Sequence, residues 1–171
     1  PRARQMARIA QTQARFAPQM ASVSIQEAEK LAITVEDVYG RVLVLAAVGR
    51  SYDVLGRSEE AQRVLASAVQ LAGTIEDAQR RTMALAEVAV QQSLGNRQAE
   101  AEKAFDQALQ QSQQVESALA RVHALADVAQ KLSRAGSVGR AHQLLIEAEK
   151  LAAGIPEPDA RNEALLLVRS L

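Results

Sequence analysis

A 40-residue internal period constrains the fold of this 171-residue chain more than any other feature. Each period repeats an Arg, a Leu and a Val at fixed offsets, and its second half repeats an Ala, a large apolar residue and another Ala. The columns are Arg41, Arg81, Arg121 and Arg161; Leu45, Leu85, Leu125 and Leu165; Val48, Val88, Val128 and Val168; Ala21, Ala61, Ala101 and Ala141; Ile25, Leu65, Phe105 and Leu145; and Ala28, Ala68, Ala108 and Ala148. Periods of about 20–50 residues are typical of proteins built from stacked repeats.

Within each period, apolar residues are spaced three and four apart, as in Val38, Val42, Leu45 and Val48. This spacing predicts amphipathic helices, and strand-like alternation is absent. The predicted helices span about 2–16, 18–32, 36–55, 58–72, 76–94, 97–113, 116–134, 137–152 and 157–170.

Periodic breaks separate these helices. We expect Gly56, Gly95 and Gly136 each to end a helix with a left-handed residue. Thr34 and Thr74 precede carboxylate-rich segments, so their hydroxyl groups are expected to cap the helices that follow.

Connections this short place neighbouring helices antiparallel, and one helical hairpin cannot bury its own apolar face. The sequence therefore predicts an all-α fold, a right-handed α-solenoid of stacked antiparallel hairpins with about nine helices. We expect a single repeat domain over 1–171, with units at about 1–35 (partial), 36–75, 76–115, 116–155 and 156–171 (partial). The partial units predict that the chain is a fragment of a longer protein.

Composition excludes several classes of function. The 20 basic and 20 acidic residues cancel, so no overall field favours nucleic acid. No apolar run reaches the roughly 18 residues of a membrane span, so no membrane insertion is expected. There is no Cys, and therefore no thiolate metal site. The compartment is not determined, although the cytoplasm is slightly favoured.

The segment Leu45–Tyr52 (LAAVGRSY), followed by Ala61–Leu65 and Ala68, resembles the tetratricopeptide signature. That signature has a large residue, two spacers, Leu-Gly, two spacers and Tyr, then Ala, three spacers and Phe. Gly49 stands where the resemblance implies close helix contact. The period is 40 rather than 34, however, and the usual Pro after the second helix is missing. HEAT-like repeats, which have a similar period, are the alternative, but their Pro-bearing first helix is not found.

Residues suited to catalysis are sparse. The two histidines, His123 and His142, lie on different predicted helices without partners at metal-ligand spacing, and the glycines stand singly rather than in a phosphate-binding loop. We therefore predict that the protein is not an enzyme and has no catalytic, cofactor or metal site.

The Arg column admits two interpretations. It is either a ladder for phosphates or an acidic peptide, or a structural feature whose stems pack beside the Leu column. Acidic residues four positions upstream favour the structural interpretation, with Asp37, Asp77 and Glu157 as the expected ion-pair partners.

The resemblance implies a concave groove lined by the first helix of each unit. Its expected floor comprises Leu43, Met83 and His123; Ala46, Ala86 and Ala126; Arg50, Val90 and Gln130; and Asp53, Ser93 and Ser133. The clamp that some family members use for a peptide's terminal carboxylate is absent. The Ala row is expected to admit a ligand's backbone, with apolar contacts dominating, Arg50 and Gln130 orienting the ligand, and salt having little effect. Alternatively, this strip packs against the array itself.

The polar residues of the second helices predict a solvated convex face. The resulting functional prediction is a scaffold that binds a protein or peptide segment in the groove. The alternative is self-assembly into a homo-oligomer through the open ends of the array.

Overall fold

A computed structural model describes residues 2–171, which form nine α-helices and no strand. The helices are α1 (Arg2–Phe16), α2 (Pro18–Ala32), α3 (Val38–Val54), α4 (Ser58–Gly73), α5 (Ala78–Leu94), α6 (Gln98–Ser112), α7 (Ala118–Arg134), α8 (Val138–Ala153) and α9 (Pro158–Arg169). The prediction of an all-α helical repeat is confirmed, and each helix boundary lies within two residues of the predicted one.

The helices pack in consecutive pairs, α1 with α2, α3 with α4, α5 with α6, and α7 with α8. Each odd-numbered helix also packs on the next odd-numbered helix, and each even-numbered helix packs on the odd-numbered helix that follows it. Within the described chain, the even-numbered helices have no substantial contact with one another. The odd helices therefore form a continuous layer, and the even helices cover one side of it.

The hairpins are closed by small residues. A Cβ atom at Gly49 would lie 2.5 Å from Cγ of Leu65, so α3 and α4 are in close contact at this position. Ala61 and Ala101 of the repeating Ala column are fully buried. Helix pairs of this kind gain dispersion contacts through backbone proximity rather than through large side chains.

The N-terminal caps differ from the prediction. The odd helices α3, α5, α7 and α9 are capped by the side chains of Asp37, Asp77, Ser117 and Glu157, which accept a hydrogen bond from the backbone N–H three residues later. The expectation that Thr34 and Thr74 cap these helices was wrong. Their hydroxyl groups donate to the carbonyl oxygens of Leu31 and Leu71, at 2.8 Å in both cases, and so satisfy the end of the preceding helix.

The hairpin turns confirm two of the three left-handed glycines. Gly56 and Gly136 have φ angles of +73° and +85°. At the middle turn the left-handed residue is Asn96, with φ of 60°, whereas Gly95 has φ of −85°. Gly95 is needed for a different reason, because a Cβ atom there would lie 2.2 Å from Oδ2 of Asp53 in the preceding repeat.

The Arg column binds backbone rather than carboxylates. Arg41 and Arg121 donate through Nε and Nη2 to the carbonyl oxygens of Val35 and Val115, and the equivalent bonds join Arg81 to Ile75 and Arg161 to Ile155. The predicted ion pairs of this column with Asp37, Asp77 and Glu157 are not formed, since the guanidinium groups are directed to the backbone carbonyl oxygens. Because each Arg fixes the loop that precedes its own helix, these contacts favour the structural interpretation of the column.

Among residues 2–171, no helix is both long enough and apolar enough to cross a membrane.

Candidate binding face of the odd helices

One side of the odd-helix layer is not covered by the even helices, and we call it the open face. In α3 it consists of half-buried residues spaced three and four apart: Tyr39, Leu43, Ala47, Arg50 and Val54. The flanking positions are buried on both sides. Val42 and Ala46 belong to the core shared with α4 and α5, whereas Val44 and Val48 belong to the core shared with α1 and α2.

The same positions recur one and two periods later. They are Gln79, Met83, Glu87 and Leu94 in α5, where the equivalent position Val90 is buried, and Leu119, His123, Asp127, Gln130 and Arg134 in α7. Of the predicted groove residues, Leu43, Arg50, Met83, His123 and Gln130 are half-buried or exposed and lie on the open face.

The remaining predicted groove residues are enclosed by the array itself. Ala46, Ala86, Ala126 and Val90 are at most 2% exposed. They lie where successive odd helices stack, and this close stacking needs small side chains. The expectation that the Ala row would admit a ligand's backbone was therefore wrong at Ala46 and Ala86, because the neighbouring helices already fill that space. Ala126 borders the cavity between α5, α7 and α9.

The last predicted row also serves contacts between repeats. The carboxylate of Asp53 pairs with the guanidinium of Arg97, and the Ser93 hydroxyl lies 3.2 Å from the carbonyl oxygen of Ala135, to which it donates. Ser133 is exposed. Two of these three residues are thus occupied by the following repeat and are not free for a partner.

A charged centre that sequence reasoning did not identify lies in the middle of the open face, and it comprises Glu87, Asp127 and Lys131. Lys131 Nζ is 2.5 Å from Oδ1 of Asp127 and 3.9 Å from Oε2 of Glu87, and its side chain is largely buried. Gln91 donates a 2.8 Å hydrogen bond to Glu87. The second oxygen of Asp127, Oδ2, is buried and has no hydrogen-bond partner within residues 2–171. The centre therefore retains an unused acceptor.

Tyr39 brings α3 close to this charged centre. Burial raises the pKa of Tyr39, and the charges of Asp127 and Glu87 raise it further, so side chains from α3, α5 and α7 share one electrostatic environment. The guanidinium carbon of Arg80 lies 5.1 Å from the centroid of the Tyr39 ring, an arrangement that favours a cation–π contact.

Next to the charged centre, α5, α7 and α9 enclose a shallow cavity of about 240 Å³. Met83, His123 and Leu167 line it, and His123 Nε2 lies 3.3 Å from Oε1 of Glu163. The predicted pair Met83 and His123 is therefore brought together. It offers apolar surface beside polar groups.

A second cavity, of about 260 Å³, lies at the C-terminal ends of the odd helices. We call it the arginine cavity, after Arg15, Arg50 and Arg134, which line it together with Phe16 and Leu94. Its lining residues come from α1, α3, α5 and α7. Four consecutive odd helices contribute side chains to this one cavity, so the open face is concave here.

Chemical groups suited to metal binding are scattered. No cluster of three or more His, Asp or Glu side chains within the described residues is arranged to hold a metal ion. The geometry instead presents half-buried apolar side chains interrupted by charges, and such a surface can make binding contacts with a partner.

No protein-family model matches the chain, and no curated protein matches its sequence. A solved structure does resemble it, the crystal structure of Ton1535 from Thermococcus onnurineus NA1, with a TM-score of 0.77 and 20% sequence identity. The match covers 85% of this chain and 41% of that one, so the chain spans less than half the length of Ton1535. At this identity the similarity shows the fold alone.

Proposed function

We propose that this chain is a tetratricopeptide-like binding module that holds a polypeptide segment on the open face of its odd helices. The observation that carries the proposal is the row of half-buried side chains, among them Leu43, Met83 and Leu119, that no even helix covers. A concave apolar strip interrupted by charges suits an extended or helical segment, with large side chains as anchors and polar groups fixing its orientation.

The positions of the charged residues on the open face favour one orientation of a bound segment. Glu87 and Asp127 lie in its middle, whereas Arg50 and Arg134 lie towards the C-terminal ends of the helices. A bound segment with opposite charges at two positions would fit in one orientation and be opposed in the other, because like charges at an interface are destabilising.

The test begins with selection of peptides from a phage-displayed random library on the immobilised chain. Affinities of the selected peptides are then measured by fluorescence anisotropy for the wild type and for the double variant Leu43→Glu, Met83→Glu. Both positions are half-buried on the open face, so the variant is expected to fold but to lose at least tenfold in affinity.

The matched control is Gln143→Glu, which adds a carboxylate to an exposed position on α8. It should bind like the wild type. Equal weakening in the control and the open-face variant, or failure to select any peptide, would contradict the proposal. Circular dichroism confirms that both variants retain their helices.

Self-assembly is the second candidate function, and the positions of the exposed apolar residues favour it. Among the described residues, the exposed large apolar residues lie in or directly after α1, α2, α8 and α9, whereas α3 to α7 contribute only Leu94. Met20 and Val23 lie on α2, at 62% and 71% exposure, and Leu166 lies on α9 at 72%. Contact between the two ends would join copies head to tail.

Analytical ultracentrifugation of two variants tests this candidate. Met20→Lys disables the first end and Leu166→Lys disables the last, so each variant alone should remain monomeric. Mixed together, they still have one intact end each and should form a 1:1 dimer. A wild type that stays monomeric at high concentration would exclude end-to-end assembly.

A further inference from the structure

The three arginines of the arginine cavity have no ionic partner. Within residues 2–171, Arg15, Arg50 and Arg134 form no ion pair and no side-chain hydrogen bond. Nε of Arg50 is buried without a hydrogen-bond acceptor. Asp53 is the carboxylate nearest along the chain to Arg50, and it is already bound by Arg97.

Many other arginines of the protein have ionic partners. Arg57 pairs with Glu60, Arg80 with Asp37, and Arg140 with Glu102 and Asp106. Arg4 and Arg8 of α1 also form no ion pair within residues 2–171, but they do not line the cavity, so what distinguishes the cavity is that three unpaired guanidinium groups border one space.

The electrostatic consequences are visible at Arg50. Burial lowers the pKa of Arg50, Asp53 raises it, and the positive charge of Arg15 lowers it again. A half-buried cation beside another cation is stabilised by an anion that enters the site, because the anion supplies both the missing acceptor and the opposing charge.

Helix dipoles account for part of this arrangement. Arg15 and Arg134 stand in the last turns of α1 and α7, where the helix dipole favours a cation. Arg50 lies before the last turn of α3, however, and the dipole provides no hydrogen-bond acceptor for its buried Nε. The dipole of a single helix also does not explain why arginines from three helices, α1, α3 and α7, border the same cavity.

The walls of the cavity restrict what can enter. Phe16, Val54 and Leu94 contribute apolar surface next to the guanidinium groups. The volume of about 260 Å³ is below the roughly 300–1,000 Å³ of sites that enclose a whole small-molecule ligand. The space suits one side chain or one charged group better than a complete metabolite.

We infer that the arginine cavity is a subsite for a carboxylate or phosphate group that lies beside an apolar group on the segment held by the open face. The assignment of the anion to a polypeptide rests on the proposed function, whereas binding of the anion itself does not. Contrary to the expectation from sequence, binding at this end of the face should weaken as salt concentration rises.

The experiment uses phenyl phosphate and phenylacetate as probes, and benzyl alcohol as a neutral probe with the same ring. Each is titrated into ¹⁵N-labelled protein while the Nε–Hε resonances of the arginines are followed by NMR. Saturable shifts of the Arg50 resonance with one or both anions, and none with benzyl alcohol, are expected. The anion that binds more tightly distinguishes a phosphorylated from an acidic side chain.

Arg50→Gln and Arg134→Gln should each lower the affinity for the anion about tenfold, the effect of losing one charge-assisted hydrogen bond. Arg134 is exposed, so its replacement does not threaten the fold. Lys103→Gln removes one positive charge from an exposed position on α6 and should leave the affinity unchanged. The inference would be overturned if all three variants bound the anion as tightly as the wild type does, or if benzyl alcohol bound as tightly as the anions.

Failure of the proposed function has a different signature. If phenyl phosphate or phenylacetate binds but no peptide competes with it, the result supports the anion subsite and contradicts its assignment to a polypeptide ligand. If peptides bind the open face while neither anion shifts the Nε–Hε resonance of Arg50, the result supports the proposed function and contradicts the anion subsite.

Discussion

The guanidinium of Arg97 reaches back to the preceding repeat and contacts the carboxylate of Asp53, with an Nη2–Oδ1 distance of 2.9 Å. The side chains are only 11% and 7% exposed, and Arg97 also donates to the backbone carbonyl and hydroxyl oxygens of Ser58. One side chain at the start of α6 thereby ties together the end of α3 and the start of α4.

Arg97→Ala should destabilise the chain by about 3–5 kcal/mol, because it leaves the Asp53 carboxylate buried without its counter-charge. Arg63→Ala is the control. Arg63 pairs with Glu29 at the surface, where such pairs contribute about 0–1 kcal/mol. Urea unfolding followed by circular dichroism measures both changes in the free energy of unfolding. Similar losses in the two variants would show that burial does not increase the contribution of the Arg97–Asp53 pair to stability.

Two helical glycines should respond to alanine with opposite signs. Gly49→Ala places a Cβ atom against Leu65 and should cost about 1–3 kcal/mol through overpacking of the hairpin. Gly139 lies in the first turn of α8 with no atom near its would-be Cβ, so Gly139→Ala should stabilise the protein by about 0.4–1 kcal/mol. Thermal and urea unfolding provide the comparison; stabilisation by Gly49→Ala would contradict the close approach of α3 and α4.

The corrected boundary of the open face can be tested by placing the same charge on either side of it. Ala86→Glu introduces an unpaired carboxylate at a fully buried position and should cost several kcal/mol or prevent folding. Met83→Glu, three residues earlier and half-buried on the open face, should cost about 1 kcal/mol or less. Comparable unfolding midpoints for the two variants would mean that the Ala row is accessible.

Alkaline pH should destabilise the protein through Tyr52. Burial, followed by the 2.8 Å hydrogen bond to Glu29, raises the pKa of Tyr52 from 10.0 to about 12. Since the folded pKa exceeds the unfolded value, this contribution to stability is complete below pH 10 and is lost as pH rises to 12. The loss is roughly 2–3 kcal/mol.

Absorbance near 295 nm follows tyrosinate formation directly, because the chain has two Tyr and no Trp. Burial also raises the pKa of Tyr39, so a Tyr39→Phe background isolates Tyr52. In that background Tyr52→Phe should remove the tyrosine-dependent part of the fall in unfolding free energy between pH 10 and 12. A Tyr52 that ionises near pH 10 in the folded protein would contradict its buried hydrogen bond.

Much of the fold was predictable because helix formation and hairpin packing repeat every 40 residues. The columns at Gly49, Ala61 and Leu65 identify positions where two helices meet, and the structure confirms that packing. The caps were less predictable, since Thr34 and Asp37 are both good capping residues and only the start of α3 determines which one serves it.

The candidate site was predicted only in part for a related reason. Ala46 and Ala47 are adjacent and chemically identical, yet the first packs against the next repeat and the second lies on the open face. A period in sequence gives the spacing of a helix face but not the direction in which the helix is rotated. Residues outside the columns, such as Arg15, join the site because side chains of four stacked helices meet at one cavity, and a single repeat contains no signal of that meeting.

The lack of contact among the even helices has a mechanical consequence. Bending of the array about its odd-helix layer changes the spacing of the outer helices, and few bonds cross between them; Arg63–Glu29 and Arg140–Glu102 are two that do. Such surface pairs oppose deformation weakly. The even helices can therefore move apart from one another on bending. The resistance to bending, and with it the width available to a ligand on the open face, is set by the contacts of each odd helix with the next odd helix and with the even helix before it.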